Sequence, residues 1–136
     1  MPLPNEDTTP PVISNVQVTL VTDTTATVTW DTDEPADSVV AFGLTSAYGS
    51  TVVDAAQVTS HSVTLTGLAA DTLHHYQVSS TDASSNTASS GDLTFTTVDP
   101  PAITTQPASQ TVNQGDSVTF TVVATGTPAP TYQWKK

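Results

Sequence analysis

Lysine and arginine are almost missing from this chain. Two of its 136 residues are Lys or Arg, against 13 acidic residues, and the formal net charge is −11. Both cations, Lys135 and Lys136, come last, so residues 1–134 contain none. Phosphate backbones are gripped by Lys and Arg, and anionic lipid surfaces attract the same groups. Nucleic-acid binding and electrostatic membrane adsorption are therefore not expected. Trypsin-type proteases find no site before residue 135. Cysteine is absent, which excludes disulfides and thiolate metal sites. No apolar run approaches the ~18 residues of a spanning helix, so membrane insertion is not expected. No segment keeps apolar residues at i, i+3, i+4 and i+7 over three turns, so long helices are not expected either. Zinc-protease, nucleophile-elbow and phosphate-loop motifs are missing. The chain is read as not an enzyme. The start, "MPLPNEDTTPP", lacks the basic and apolar parts of a signal peptide. The expectation is a removed signal or an internal piece behind a start Met.

What is present favours strands. Thr supplies about a fifth of the residues, far above ordinary usage. With Val it suits a pleated surface, because β-branched side chains are stiff at χ1. Proline pairs at "DTTPP" (7–11) and "TTVDPP" (96–101) mark two short, stiff connectors. Between them the apolar period is two. Ala26, Val28 and Trp30 share a face; so do Val40 and Phe42, Val63 and Leu65, His74, Tyr76 and Val78, and Leu93 and Phe95. With 12–20 and 49–54 this makes about seven short strands separated by turn signals. That is the pattern of an all-β antiparallel sandwich.

The stretches "DTTPPVISNV", "ATVTWDTDEPADSVVAFG", "TSAYGSTV" and "HSVTLTGLAADTLHHYQVSSTDASSNTASSGDLTFTT" resemble a bacterial fibronectin type III domain over residues 8–98. The variety is the one found in front of purple-acid-phosphatase-like enzymes. Residues 1–7 then form an N-terminal linker and 99–101 a Pro-rich one. The resemblance implies a Tyr-type corner before the sixth strand, where Ala70 and His74 replace the usual Pro and Tyr. His74 is expected to bond backbone there, and a buried neutral His would weaken the fold near pH 5–6. Residues 102–136 resemble the first part of a cysteine-free immunoglobulin-like domain: strands A and B and the start of C. There Val118, Phe120, Val122 and Ala124 alternate inward, and Trp134 stands where relatives carry the strand C Trp. The later strands of such a sandwich are not in the sequence. The expected explanation is a piece of a longer protein. The alternatives are a disordered tail, or an extracellular fibre subunit whose open sandwich a neighbouring identical chain completes, with Val118, Phe120, Val122 and Trp134 at the interface.

Candidate sites are few. His61, His74 and His75 read as structural, the last two pointing to opposite faces. "DTDEPAD" places Asp31, Asp33, Glu34 and Asp37 within seven positions, and calcium is the cation such oxygens would take. The spacing is not that of an EF-hand, and Pro35 favours an ordinary turn. A second calcium set would join Asp7 or Asp99 at a linker with Asp82 of "TDASSN". No cofactor is otherwise expected. Tyr48 is the one ring expected to be exposed, the only foothold for a polysaccharide. The functional expectation is a non-catalytic spacer of a secreted or cell-surface multidomain protein, working beside neighbouring domains. A further alternative is an accessory module of a secreted hydrolase.

Overall fold

The computed structural model describes residues 6–135. The chain divides after Thr97 into two compact units. All regular structure among the described residues is β-strand.

The first unit holds β1 (Ile13–Thr19), β2 (Ala26–Gly43), β3 (Ser50–Leu65), β4 (Leu73–Thr81), β5 (Thr87–Ser89) and β6 (Leu93–Thr96). All pairings are antiparallel. The first half of β2 lies between β1 and the second half of β3, as in Val18↔Val28 and Val28↔Val63. The second half of β2 lies between the first half of β3 and β4, as in Val40↔Val52 and Val40↔Val78. β5 and β6 both pair with β4. Two layers result, joined by strands that pass from one into the other.

The inward face is the one the period of two selects. Ala26, Val28, Trp30, Val40, Val63, Leu65, Tyr76, Val78 and Phe95 form the buried cluster with Leu68, and Phe42 and Leu93 pack on it partly buried. Each fully buried side chain of this size contributes about 1.5–3 kcal/mol over leaving it in water. No buried side-chain polar atom among the described residues lacks a partner.

One expected turn is instead strand. Residues 31–37 continue β2 without a break, so two expected strands are one of 18 residues. Register shifts fall between Asp31 and Ala36 and between Ala36 and Ser38. Such bulges bend a strand and release it from strict ladder pairing, which is where a proline is tolerated. Pro35 is exposed there, while Thr32, Ala36 and Ser38 stay buried. In the same way the strands expected over 49–54 and 61–65 are one element, β3, which begins at Ser50.

The corner before β4 closes as its residues suggest. His74 is buried, and its Nε2 donates to the Ala69 carbonyl at 3.1 Å. Its ring stacks on Phe95 at 5.4 Å between centroids. Thr97 Oγ1 donates to the same carbonyl at 2.6 Å. His75 points the other way and meets Asp92 Oδ2 at 2.8 Å.

The second unit contains β7 (Ala102–Thr105) paired antiparallel with β8 (Val123–Thr125). The expected second strand is thus regular only at its end, and no ladder forms around Trp134. Val118, Phe120 and Trp134 are 39%, 47% and 60% exposed, whereas Val122 is half-buried. Alternation alone cannot bury a face: among the described residues of this unit there is no second layer to lie against it. Phe120 and Trp134 approach each other at 6.3 Å. Tyr132 takes the Ala124 amide at 3.0 Å and donates to its carbonyl at 3.3 Å.

Gly43 ends β2 against the Tyr48 backbone, and a Cβ there would overlap the Tyr48 carbonyl group. Backbone cannot yield as a flexible side chain does. Gly43→Ala is expected to cost about 2 kcal/mol or more, read as a lower urea midpoint. An unchanged midpoint would show that the turn is loose.

Candidate functional site

Two groups of side chains in the first unit go beyond apolar packing. The first is acidic. Asp7, Glu34 and Asp82 each bring a carboxylate oxygen within 4.8 Å of the others. Asp82 sits in the turn between β4 and β5, where its Oδ1 accepts the Ser84 and Asn86 amides at 2.8 and 2.9 Å. Its Oδ2 accepts Asn86 Nδ2 at 2.8 Å. Asn86 Nδ2 also donates to the Asp7 carbonyl at 3.0 Å, tying the segment before β1 to this turn. Glu34 arrives from the bulged middle of β2.

The two carboxyls respond oppositely. Burial raises the Glu34 pKa first, and the charges of Asp7, Asp82 and Asp33 raise it further. The Asn86 side chain lowers that of Asp82, helped by backbone amides and opposed by burial. A carboxyl held above its unfolded value costs stability once pH passes that value. One held below it adds stability above the unfolded value and loses it as pH falls through the folded one.

The expected calcium set is distributed differently. Asp31 accepts Asn15 Nδ2 at 2.9 Å and Ser60 Oγ at 3.3 Å. Asp33 accepts the Val12 amide at 2.7 Å, and Asp37 the Thr81 amide at 2.8 Å. Each ties a neighbouring segment to β2. Of the set Asp31, Asp33, Asp37 and Asp82, only Asp82 joins the cluster. Its meeting with Asp7 follows from the linker running beside the "TDASSN" turn. Three carboxylate oxygens are about half of what calcium takes, the rest falling to carbonyls or water.

The second group is buried. Trp30 and His61 stack 4.8 Å apart with planes 4° from parallel. Trp30 Nε1 donates to Ser80 Oγ at 2.9 Å. His61 Nε2 meets Thr32 Oγ1 at 2.9 Å and Nδ1 meets Ser38 Oγ at 2.7 Å. Thr32 gives its proton to the Glu34 carbonyl at 2.8 Å, so it accepts from His61. The neutral ring therefore carries hydrogen on Nε2 and accepts from Ser38 on Nδ1. Charging Nδ1 would force the Ser38 hydroxyl to turn round. Desolvation lowers the His61 pKa, while Asp31 and Asp37 oppose it. The sequence places His61 in core register but gives no sign of these partners: Thr32 lies in the stretch read as a turn, and Ser38 is a small polar residue at the start of the strand read after it.

Tyr48, expected to be exposed, is half-buried with φ of 62°. Burial and then Asp92 raise its pKa.

Two outcomes are expected from these protonation states. A histidine held below its unfolded pKa of about 6.5 takes up protons on unfolding, so stability falls as pH drops below that value. His61→Asn should flatten the pH dependence between 7 and 5, by at most ~1.4 kcal/mol per pH unit. Urea unfolding at each pH reads it, and parallel curves for both proteins would refute it. At pH 7 and low salt, Glu34→Gln should raise Tm and Asp82→Asn should lower it. The Glu34 gain should shrink in ~1 M salt, where the Debye length is about 3 Å. A gain unchanged by salt would rule out charge repulsion as its cause.

Comparison with known proteins agrees with this architecture. The family model described as "Purple acid Phosphatase, N-terminal domain" matches residues 13–97. The one described as "Immunoglobulin domain" matches residues 100–136. A search of curated proteins gave no match. Among solved structures, the sensor domain of the anti-sigma factor RsgI4 in Pseudobacteroides cellulosolvens is similar. It is 16% identical with a TM-score of 0.50, over 67% of this chain and 97% of that one. That likeness concerns the fold alone. Neither matching model describes a catalytic domain. The sandwich of β1 to β6, with its buried Trp30 and its corner at His74, has the fibronectin type III-like form, and the chain belongs to the family of the purple acid phosphatase N-terminal domain.

Proposed function

We propose that this chain is a non-catalytic spacer from a secreted or cell-surface bacterial protein, holding neighbouring domains at a set distance. One observation carries the reading: the polypeptide reaches the first unit at one end and leaves it at the other. Asp7 is tied to Asn86, just past the end of β4. Thr97 is tied to Thr72 and Ala69, just before its start, through an amide bond of 3.1 Å and a hydroxyl bond of 2.6 Å. The nine residues of β4 separate the two points by about 30 Å at ~3.3 Å per residue. A domain inserted in this way lengthens a chain; one whose ends met would add only bulk.

The remaining features suit that task. Core polar groups are satisfied, and no cation precedes residue 135 to offer a tryptic site. The net charge keeps such a module soluble beside copies of itself. Secretion is inferred from this acidic, hydroxyl-rich character together with the family.

A spacer should fold without help from the unit beyond it. Removing residues 98–136 is expected to leave the Tm of the first unit within about 2 °C, since distant parts add independently. The whole chain should sediment as a monomer. Loss of folding on deletion would refute the modular reading. Oligomers that Trp134→Asp disperses would turn it toward assembly through the second unit.

A further inference from the structure

Asp99 is followed by proline, and no other aspartate in the sequence is. The pair lies between β6, which ends at Thr96, and β7, which begins at Ala102, so neither residue is held in a ladder. Asp99 is half-buried and Pro100 exposed, so water and protons reach the bond. The Asp99 carbonyl oxygen accepts the Thr127 amide at 3.1 Å. Asp31, Asp33, Asp37 and Asp82 all have their carboxylates engaged. That of Asp99 makes no hydrogen bond among the described residues and is free to turn onto its own backbone.

We propose that the Asp99–Pro100 bond is a self-cleavage site at which the chain hydrolyses itself in mildly acidic surroundings. A side-chain oxygen of Asp99 attacks its own carbonyl carbon and closes a five-membered cyclic anhydride. The Thr127 N–H is already placed on the oxygen where negative charge develops, the role of an oxyanion donor. The C–N bond breaks, and its electron pair goes to the Pro100 nitrogen, which takes a proton from solvent and leaves as a secondary amine. Water then opens the anhydride, giving a free α-carboxyl and the original side chain on Asp99. The sum is one peptide bond and one water consumed, with no redox change. Proline matters twice. Its nitrogen is a more basic leaving group than an ordinary amide nitrogen. It also carries no hydrogen, so it cannot attack the side-chain carboxyl instead. The tethered nucleophile needs no encounter with a second molecule. Cleavage parts the compact unit ending at Thr97 from the segment starting at Pro100.

The test is mass spectrometry of the whole chain during incubation at pH 4. It is run beside a synthetic peptide of residues 94–105, which contains the bond but lacks Thr127. The expected products are 1–99 and 100–136, formed about tenfold faster than the peptide is cut, and more slowly as pH rises toward 7. In urea at pH 4 the rate should fall to that of the peptide, since the Thr127 contact is lost. Asp99→Ala and Pro100→Ala should each abolish the products. A rate no greater than the peptide's, a rate unaffected by urea, or cleavage persisting in Asp99→Ala would overturn the proposal.

Discussion

The two layers of the first unit are held in one relation by Trp30. Its indole lies fully buried on the first half of β2, and its N–H crosses to Ser80 on β4 in the other layer. Around it, the His61 ring and the hydroxyls of Thr32 and Ser38 complete a polar layer within an apolar core. An apolar core alone fixes composition and volume but tolerates sliding. A buried N–H with one partner does not, because losing it leaves an unpaired group in a low dielectric. The bend of β2 from one layer to the next is set by the same residues, since Thr32 and Ser38 flank it and both reach His61.

The acidic end follows from a similar economy of partners. With no Lys or Arg before residue 135, carboxylates at the turns face amides, hydroxyls, one another and, for Asp92, the His75 ring. Several take backbone amides: Asp33 holds Val12, Asp37 holds Thr81, and Asp82 holds its own loop. Glu34 is left among the charges of Asp7, Asp82 and Asp33. Several negative residues therefore act as acceptors that pin backbone, and unrelieved charge collects where the linker meets the sandwich.

Much of this was legible in the sequence. Period-two alternation named the buried face from Ala26 to Phe95 with few exceptions, because half-buried strands leave that mark wherever apolar and polar residues alternate. The corner at His74 was legible through its likeness to a family pattern. The stretch 31–37 was not. Its inward residues are Thr32 and Ala36, neither apolar enough to show which way it faces, and Pro35 signals a turn to any local reading. Thr32, one hydroxyl partner of His61, was hidden for the same reason. Glu34 could be suspected as an acid in a dense run, but its meeting with Asp7 depends on a linker path that no spacing encodes. In the second unit, alternation at Val118, Phe120 and Val122 correctly marks a sandwich-forming sequence, yet burial needs an opposing layer.

The opposite placement of the two chain ends decides how the first unit would carry a load. Tension applied through the segments before β1 and after β6 runs along the strands, not across them. Hydrogen bonds between β1 and β2, and between β6 and β4, would then be strained in shear, many at once, and would not open one after another like a zipper. Rupture in that geometry is a collective event with a high barrier. Short of it, the module would behave as a nearly inextensible link.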